Sequence, residues 1–189
     1  MREATPELGD KGSPEASSVE NDTADVARPT GVKLMLITIS LMLAVFCVAL
    51  DNTIMAVAIP HITDQFHNLN DVGWYASAYL LTTCALQLPF GKLYALYNIK
   101  IVFLCALFLF ELGSLICGVA PNSMTLVIGR AVAGLGSAGI FTGSLVTIPH
   151  TVEAERRPMF FGMLGGMYGI ASVAGPLMGG AFTDHATWR

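Results

Sequence analysis

Five stretches of this 189-residue chain stay apolar for longer than a soluble core helix requires, and their length limits the possible folds more than any other feature. Crossing about 30 Å of hydrocarbon takes about 20 helical residues at ~1.5 Å each. Leu34–Ile59, Val72–Phe90, Ile101–Val119, Met124–Ile148 and Met159–Phe182 all qualify, and the charged side chains within them are Asp51, Glu111 and Arg130. No ten-residue alternating segments occur, so a membrane β-barrel is excluded. A soluble bundle is disfavoured because 13% of the residues are charged, against about 25% in an ordinary globular domain. The expectation is an all-α integral membrane fold with five transmembrane helices.

The segments between these blocks agree with that. Pro60 is expected to end the first span, Asn70-Asp71 to cap the second, and Pro121-Asn122-Ser123 to turn into the fourth. Trp74 and Tyr75 at one end of the second span, with Tyr94 and Tyr97 beyond the other, read as interfacial aromatics. Lys and Arg alternate between loops: Arg28 and Lys33 precede the first span, Lys92 and Lys100 follow the second, and Arg156 and Arg157 follow the fourth. Loops 60–71 and 120–123 carry none. By the positive-inside rule the amino-terminus is cytosolic. Residues 1–33 read as a disordered acidic cytosolic tail, since half of the fourteen acids fall in the first 25 residues and no aromatic side chain occurs before residue 31. The acidity therefore belongs to the tail, and no basic stripe suits a nucleic acid. Cys47, Cys84, Cys105 and Cys117 sit in apolar blocks without metal-ligand spacing and are expected to be buried as small hydrophobes.

Gly134-Leu135-Gly136-Ser137-Ala138-Gly139 matches the dinucleotide-binding glycine pattern, but it lies in the middle of an apolar helix with no strand before it, so a nucleotide role is rejected. Packing explains these glycines better. Twelve of the nineteen lie in the fourth and fifth spans, where small residues four apart let helices approach closely. Ala171, Gly175 and Gly179 line one face of the fifth span; Gly162 with Gly166, and Gly165 with Gly169, add others, and Pro176 is expected to kink that helix. Ionisable side chains inside a bilayer cost roughly 3 kcal/mol or more, so they face protein or a watery cavity. Counted from the outer ends of their spans, Asp51 and Glu111 lie about 13 Å deep and Arg130 about 10 Å deep. Three helices thus carry their only charges at nearly one level, as either a structural ion pair or a site for protons or substrate.

These residues also carry a family resemblance. Leu50-Asp51-Asn52-Thr53-Ile54, continuing to Ala58-Ile59-Pro60, resembles the first-span signature of the fourteen-span drug:proton antiporters of the major facilitator superfamily. Leu126 and Arg130 with Gly134, Gly136 and Ala138 are similar to the family's fourth-span motif. Gly162 followed by Gly175-Pro176, Gly179 and Gly180 resembles its fifth-span antiporter motif. Asp71-Val72-Gly73-Trp74-Tyr75 and Gly91-Lys92-Leu93-Tyr94 resemble the fungal multidrug and toxin-efflux branch. Departures occur at Ala95, where the family's gating loop usually has aspartate, at Ala133 for a glutamine, and at Ala171 for a glycine.

The resemblance implies proton-coupled export of drug-like or toxic small molecules across the plasma membrane. Asp51 would carry the proton, Arg130 would be its charge partner, and Glu111 a second candidate. Gly91, Leu93 and Lys100 would form the gating loop, and the helix of Gly162, Gly175, Pro176, Gly179 and Gly180 would be the moving seam. Because the family needs two six-helix bundles around a central site, residues 34–189 read as an incomplete amino-terminal bundle, and the fragment is expected to be inactive alone. No ATP-binding glycine loop occurs, and His61, His67, His150 and His185, read as loop residues, lack paired metal spacing. No cofactor, metal or enzymatic activity is expected. The partners expected are a small-molecule substrate, protons, the lipid bilayer, and other transporter chains or the remainder of the same protein. The alternative is a non-transporting membrane scaffold or assembly partner.

Overall fold

The computed structural model describes residues 31–66 and 71–185; nearly all of the acidic tail, the Asn70 cap and the final residues 186–189 lie outside these. Five long helices follow one another: α1 (Val32–Phe66), α2 (Val72–Leu96), α3 (Ile99–Gly118), α4 (Ser123–Thr151) and α5 (Arg157–His185), with a 3-10 turn at Ala154–Arg156 before the last. No strand occurs among the described residues. α1, α3, α4 and α5 are long and apolar enough to cross a membrane. α2 has the length, 25 residues, but Gly73, Trp74, Thr82, Thr83 and Gln87 dilute its apolar content.

Helix ends follow local chemistry, not always as the sequence suggests. The apolar span ends at Pro60 as expected, but the helix does not: Pro60 lies inside α1, where proline removes one backbone hydrogen bond and the flanking turns supply the rest. Asp71 stands at the N-cap of α2, yet its side chain caps nothing there and accepts a hydrogen bond from Ser123 instead. Asn98 and Asn122 do cap, accepting from the backbone N–H of Lys100 and Thr125. Arg157 donates to the carbonyls of Val152 and Pro149, closing the carboxyl end of α4. His61, His150 and His185 are helical rather than loop residues.

α4 is the centre of the bundle. Its small side chains let α3 approach from one side and α2 from the other. Along α4, Gly129, Ala133, Gly136 and Gly139 meet Cys117, Gly113, Phe110 and Ala106 of α3, so these two helices run antiparallel. Gly134, Gly139 and Gly143 meet Tyr79, Phe90 and Tyr94 of α2 in rising order, so α2 and α4 run parallel. α1 and α5 form a second parallel pair, with Thr53 against Gly175 and Val57 against Gly179. Between this pair and the α2–α3–α4 group the backbones approach much less closely. Side chains fill that seam: Met42, Val45 and Val48 of α1 belong to the same buried apolar cluster as Tyr79 of α2 and Ala138 and Ile140 of α4.

The outer surface is apolar. Leu104, Phe108 and Leu115 of α3 and Ile170, Val173 and Leu177 of α5 are exposed, as lipid-facing side chains are. Cys47, Cys84 and Cys105 are exposed on such faces and not buried as expected, and Cys117 is half-buried. In lipid an apolar thiol gains nothing from being inside. Tyr75 and Tyr94 are not interfacial: both are buried and hydrogen-bonded, Tyr94 to the carbonyl of Gly139, while Trp74 and Tyr97 are exposed.

Candidate functional site

Successive residues of a helix point about 100° apart. On α1 the run Asp51-Asn52-Thr53 therefore faces three different neighbours, and each side chain has a partner there. Asp51 Oδ2 accepts from Arg130 Nη1 of α4 at 2.6 Å. Asn52 Nδ2 donates to the Tyr79 hydroxyl of α2 at 3.1 Å and to the Val48 carbonyl at 3.0 Å. Thr53 Oγ1 reaches the Ala171 carbonyl of α5 at 3.2 Å, besides carbonyls in its own helix. Three consecutive polar side chains thus tie α1 to three helices at one level.

Arg130 is the most constrained member. Its side chain is 2% exposed, while Asp51 keeps 23%. Nη1 holds Asp51, Nε donates to the Tyr75 carbonyl at 3.2 Å, and the guanidinium lies over the Tyr79 ring, 4.3 Å from its centroid. A planar cation with fixed donors and an aromatic face fits this surrounding, where an ammonium would not. The Tyr79 hydroxyl also reaches Ser137 of α4. Beside the ion pair opens a cleft of about 180 Å³ lined by Asn52, Met55, Tyr75, Ala76, Leu80 and Arg130, among others. Its lining is mostly apolar, with the Asn52 amide and the Arg130 guanidinium among it.

The ion pair spans the loosely packed seam, since Asp51 belongs to the α1–α5 pair and Arg130 to the α2–α3–α4 group. It is the one salt bridge joining two helices among the described residues; the other links Arg156 to Glu153 within the α4–α5 connection. Neutralising Asp51 would remove a bond between two bodies, not one inside either.

The remaining candidates fall elsewhere. Glu111 is exposed on α3, near enough to the exposed Cys47 of α1 to interact electrostatically, and does not join the Asp51–Arg130 pair. Depth alone could not reveal this, because equal depth leaves the facing side undetermined. Gly91 and Leu93 are not loop residues: both lie in the last turns of α2, and Lys100 in the first turn of α3. Only Tyr97 and Asn98 are non-helical between those helices. Gly175 and Gly179 pack on α1, whereas nothing lies within 4 Å of a Cβ added at Gly162, Gly165, Gly166 or Gly169. Pro176 lies inside α5. No cluster of His, Cys, Asp or Glu suited to a metal occurs among the described residues. The sequence reading passed over Asn52, Thr53, Tyr75 and Tyr79 as site residues. The signal available was three adjacent polar residues inside an apolar helix.

The Gly175 contact yields a prediction. A Cβ there would overlap Thr53 Oγ1 and stand 2.5 Å from Thr53 Cβ. Overpacking of this kind costs about 1–3 kcal/mol. Gly175→Ala is expected to lower the melting temperature of the full-length protein, and Thr53→Ala in the same chain to recover part of the loss. Melting in detergent followed by size-exclusion fluorescence checks both, and a Gly175→Ala protein that melts like the parent would mean that the two helices do not meet there.

The sequence profile of the Major Facilitator Superfamily matches residues 41–189. Among curated proteins, the efflux pump aflT of Aspergillus parasiticus is 71% identical over 160 residues, 85% of this chain and 31% of its own length. The MFS-type efflux pump MFS1 of Arthroderma benhamiae is 61% identical over 174 residues, 92% of this chain and 32% of its own. The MFS-type transporter astH of Aspergillus oryzae is 59% identical over 186 residues, 97% of this chain and 33% of its own. The chain therefore spans about a third of the length of the curated relatives it matches.

Proposed function

We propose that this chain, which belongs to the Major Facilitator Superfamily, is part of a proton-coupled exporter of amphiphilic small molecules, with Asp51 as the proton carrier and Arg130 as its charge partner. The chain is a multi-pass membrane protein, and its relatives are efflux pumps and transporters. The observation that carries the reading is the ion pair across the seam. A carboxylate that binds a proton lets go of the guanidinium, so proton loading is converted into a change in how tightly two helix groups are held together. The partly open cleft beside it gives protons and a substrate a common approach. Its largely apolar wall suits molecules that partition into lipid, with Asn52 offering a hydrogen bond. Glu111 has no part in this scheme.

The test is transport by the full-length protein in proteoliposomes with an imposed pH gradient. A fluorescent amphiphile should move uphill when protons are supplied from the opposite side, and the movement should stop when an ionophore collapses the gradient. Uphill movement that persists after collapse would rule out proton coupling.

For the orientation, we take the amino-terminus as cytosolic and the membrane as the plasma membrane. The helix directions support this by collecting Lys92, Lys100, Arg156 and Arg157 at one end of the bundle, opposite Trp74 and Asn122. The Asn21-Asp22-Thr23 sequon should accordingly stay unglycosylated, and a sequon engineered into a lengthened segment between α1 and α2 should be modified. Glycosidase shifts on gels report both, and a glycan on Asn21 would invert the topology.

A further inference from the structure

Asp71, Tyr75, Ser123 and Arg130 form a closed loop of contacts between α2 and α4. Ser123 Oγ donates to Asp71 Oδ2 at 2.6 Å. The Tyr75 hydroxyl lies 2.8 Å from Ser123 Oγ, and because the serine proton is committed to Asp71, the tyrosine is the donor. One turn of α2 joins Asp71 to Tyr75, and two turns of α4 join Ser123 to Arg130. Arg130 Nε closes the loop on the Tyr75 carbonyl. The Tyr75 ring is wholly buried, with Ser123 8% exposed. α2 and α4 are therefore pinned to each other at two levels, about 10 Å apart along α4 and about 6 Å apart along α2.

The geometry points to Tyr75 and Ser123 as positioning residues that hold the Arg130 guanidinium at a fixed place on α2 and α4, so that the proton on Asp51 decides whether the ion pair across the seam is made. This rests on Asp51 and Arg130 being the proton-coupling pair. The Tyr75 carbonyl, oriented by the backbone of α2, accepts from Arg130, and the ring of the same residue, tethered by its hydroxyl to Ser123, holds that part of α2 against α4. A backbone carbonyl cannot relay a proton, so the loop is a brace and not a proton wire.

With the brace cut, the guanidinium tilts and holds Asp51 less well, and a proton competes for the carboxylate at higher pH. Asp51 is faced by Arg130 of α4, Tyr79 of α2 and Cys117 of α3. Among the titratable side chains described on α5, Tyr168 packs edge-on against Phe141 and Arg157 caps α4. Both phenolic and thiol groups stay neutral over the working range, leaving Arg130 as the charge that matters.

The test uses the full-length protein in proteoliposomes, with export followed against external pH. Ser123→Ala, outside the cleft, should raise the pH of half-maximal export by about half to one unit, roughly a 3- to 10-fold change in proton affinity, with its maximal rate kept. Tyr75→Phe should shift the midpoint the same way, and the double variant should shift it no further. Asp71→Asn keeps an acceptor for Ser123 and should shift it less than Asp71→Ala. A second readout needs no transport. In protein labelled with 15N-arginine, the Nε–H signal that Arg130→Lys removes should be slow to exchange in the parent and faster in Tyr75→Phe. An unmoved midpoint and unchanged exchange, with only the yield of folded protein reduced, would overturn the brace. Normal pH-driven export by Asp51→Asn would instead overturn the proton assignment, and the arginine signal would still decide the brace.

Discussion

In the full-length protein, Asp51→Asn is expected to reduce pH-gradient-driven export to background while the protein still reaches the membrane. Asparagine keeps the shape of aspartate and an acceptor for Arg130 Nη1, but it cannot exchange a proton. At 4 Å and an effective dielectric of 20, two opposite charges attract by about 4 kcal/mol. Breaking a buried pair by removing one partner costs about 3–5 kcal/mol. Here the penalty is cushioned, because Arg130 retains the Tyr75 carbonyl and the Tyr79 ring. The variant should therefore fold and exchange substrate down its own gradient, yet gain nothing from protons. Arg130→Lys should also impair export, since one ammonium cannot reach Asp51, the Tyr75 carbonyl and the ring face together. Vesicle assays with and without the gradient separate the two functions. Uphill export by Asp51→Asn at the parent rate would move the proton site elsewhere.

The second large effect is structural. A Cβ at Gly136 would overlap the backbone nitrogen of Phe110 and stand 2.6 Å from its Cα and 2.7 Å from the Ala106 carbonyl. The obstacle is backbone, so no side chain can rotate away and α3 must move as a whole. Gly136→Leu is expected to leave almost no monodisperse protein, and Gly136→Ala to cost about 3 kcal/mol, the upper part of the usual overpacking range. The same added methyl at Gly91, where nothing lies within 4 Å, should be neutral or stabilising by about 0.5–1 kcal/mol, since glycine weakens a helix. Melting of the three variants side by side checks this. A loss at Gly91 as large as that at Gly136 would mean that the close approach of α3 is not what sets the cost.

The helices were legible from the length of the apolar blocks, because crossing a bilayer and filling a bundle both demand such lengths. Their ends were less so. Pro60 and Gly91 look like punctuation in the sequence, but a proline forfeits one hydrogen bond and a glycine under 1 kcal/mol, which a long helix absorbs. Counting residues from the outer ends put Asp51, Arg130 and Glu111 at one level, and depth says nothing about rotation. Only packing reveals that Arg130 turns toward Asp51 while Glu111 turns outward. The tyrosines were misread for the same reason. A tyrosine near a span end can lie at the lipid interface or reach inward to a buried partner, and Tyr75 and Tyr94 do the second. The glycines of α4 were legible as a packing surface, but which of the α5 glycines meet a neighbour depends on the phase between helices. Gly175 meets Thr53, and Gly162 meets nothing in this bundle.

The protonation of Asp51 itself tests the account most directly. Infrared difference spectra of the full-length protein in lipid, stepped from alkaline to acid pH, report the carbonyl stretch of each carboxyl group that gains a proton. The account predicts a band from a carboxyl in an apolar setting that disappears in Asp51→Asn, persists in Glu111→Gln, and shrinks when substrate is added near the midpoint. A band that survives unchanged in Asp51→Asn, or that vanishes in Glu111→Gln, would contradict it.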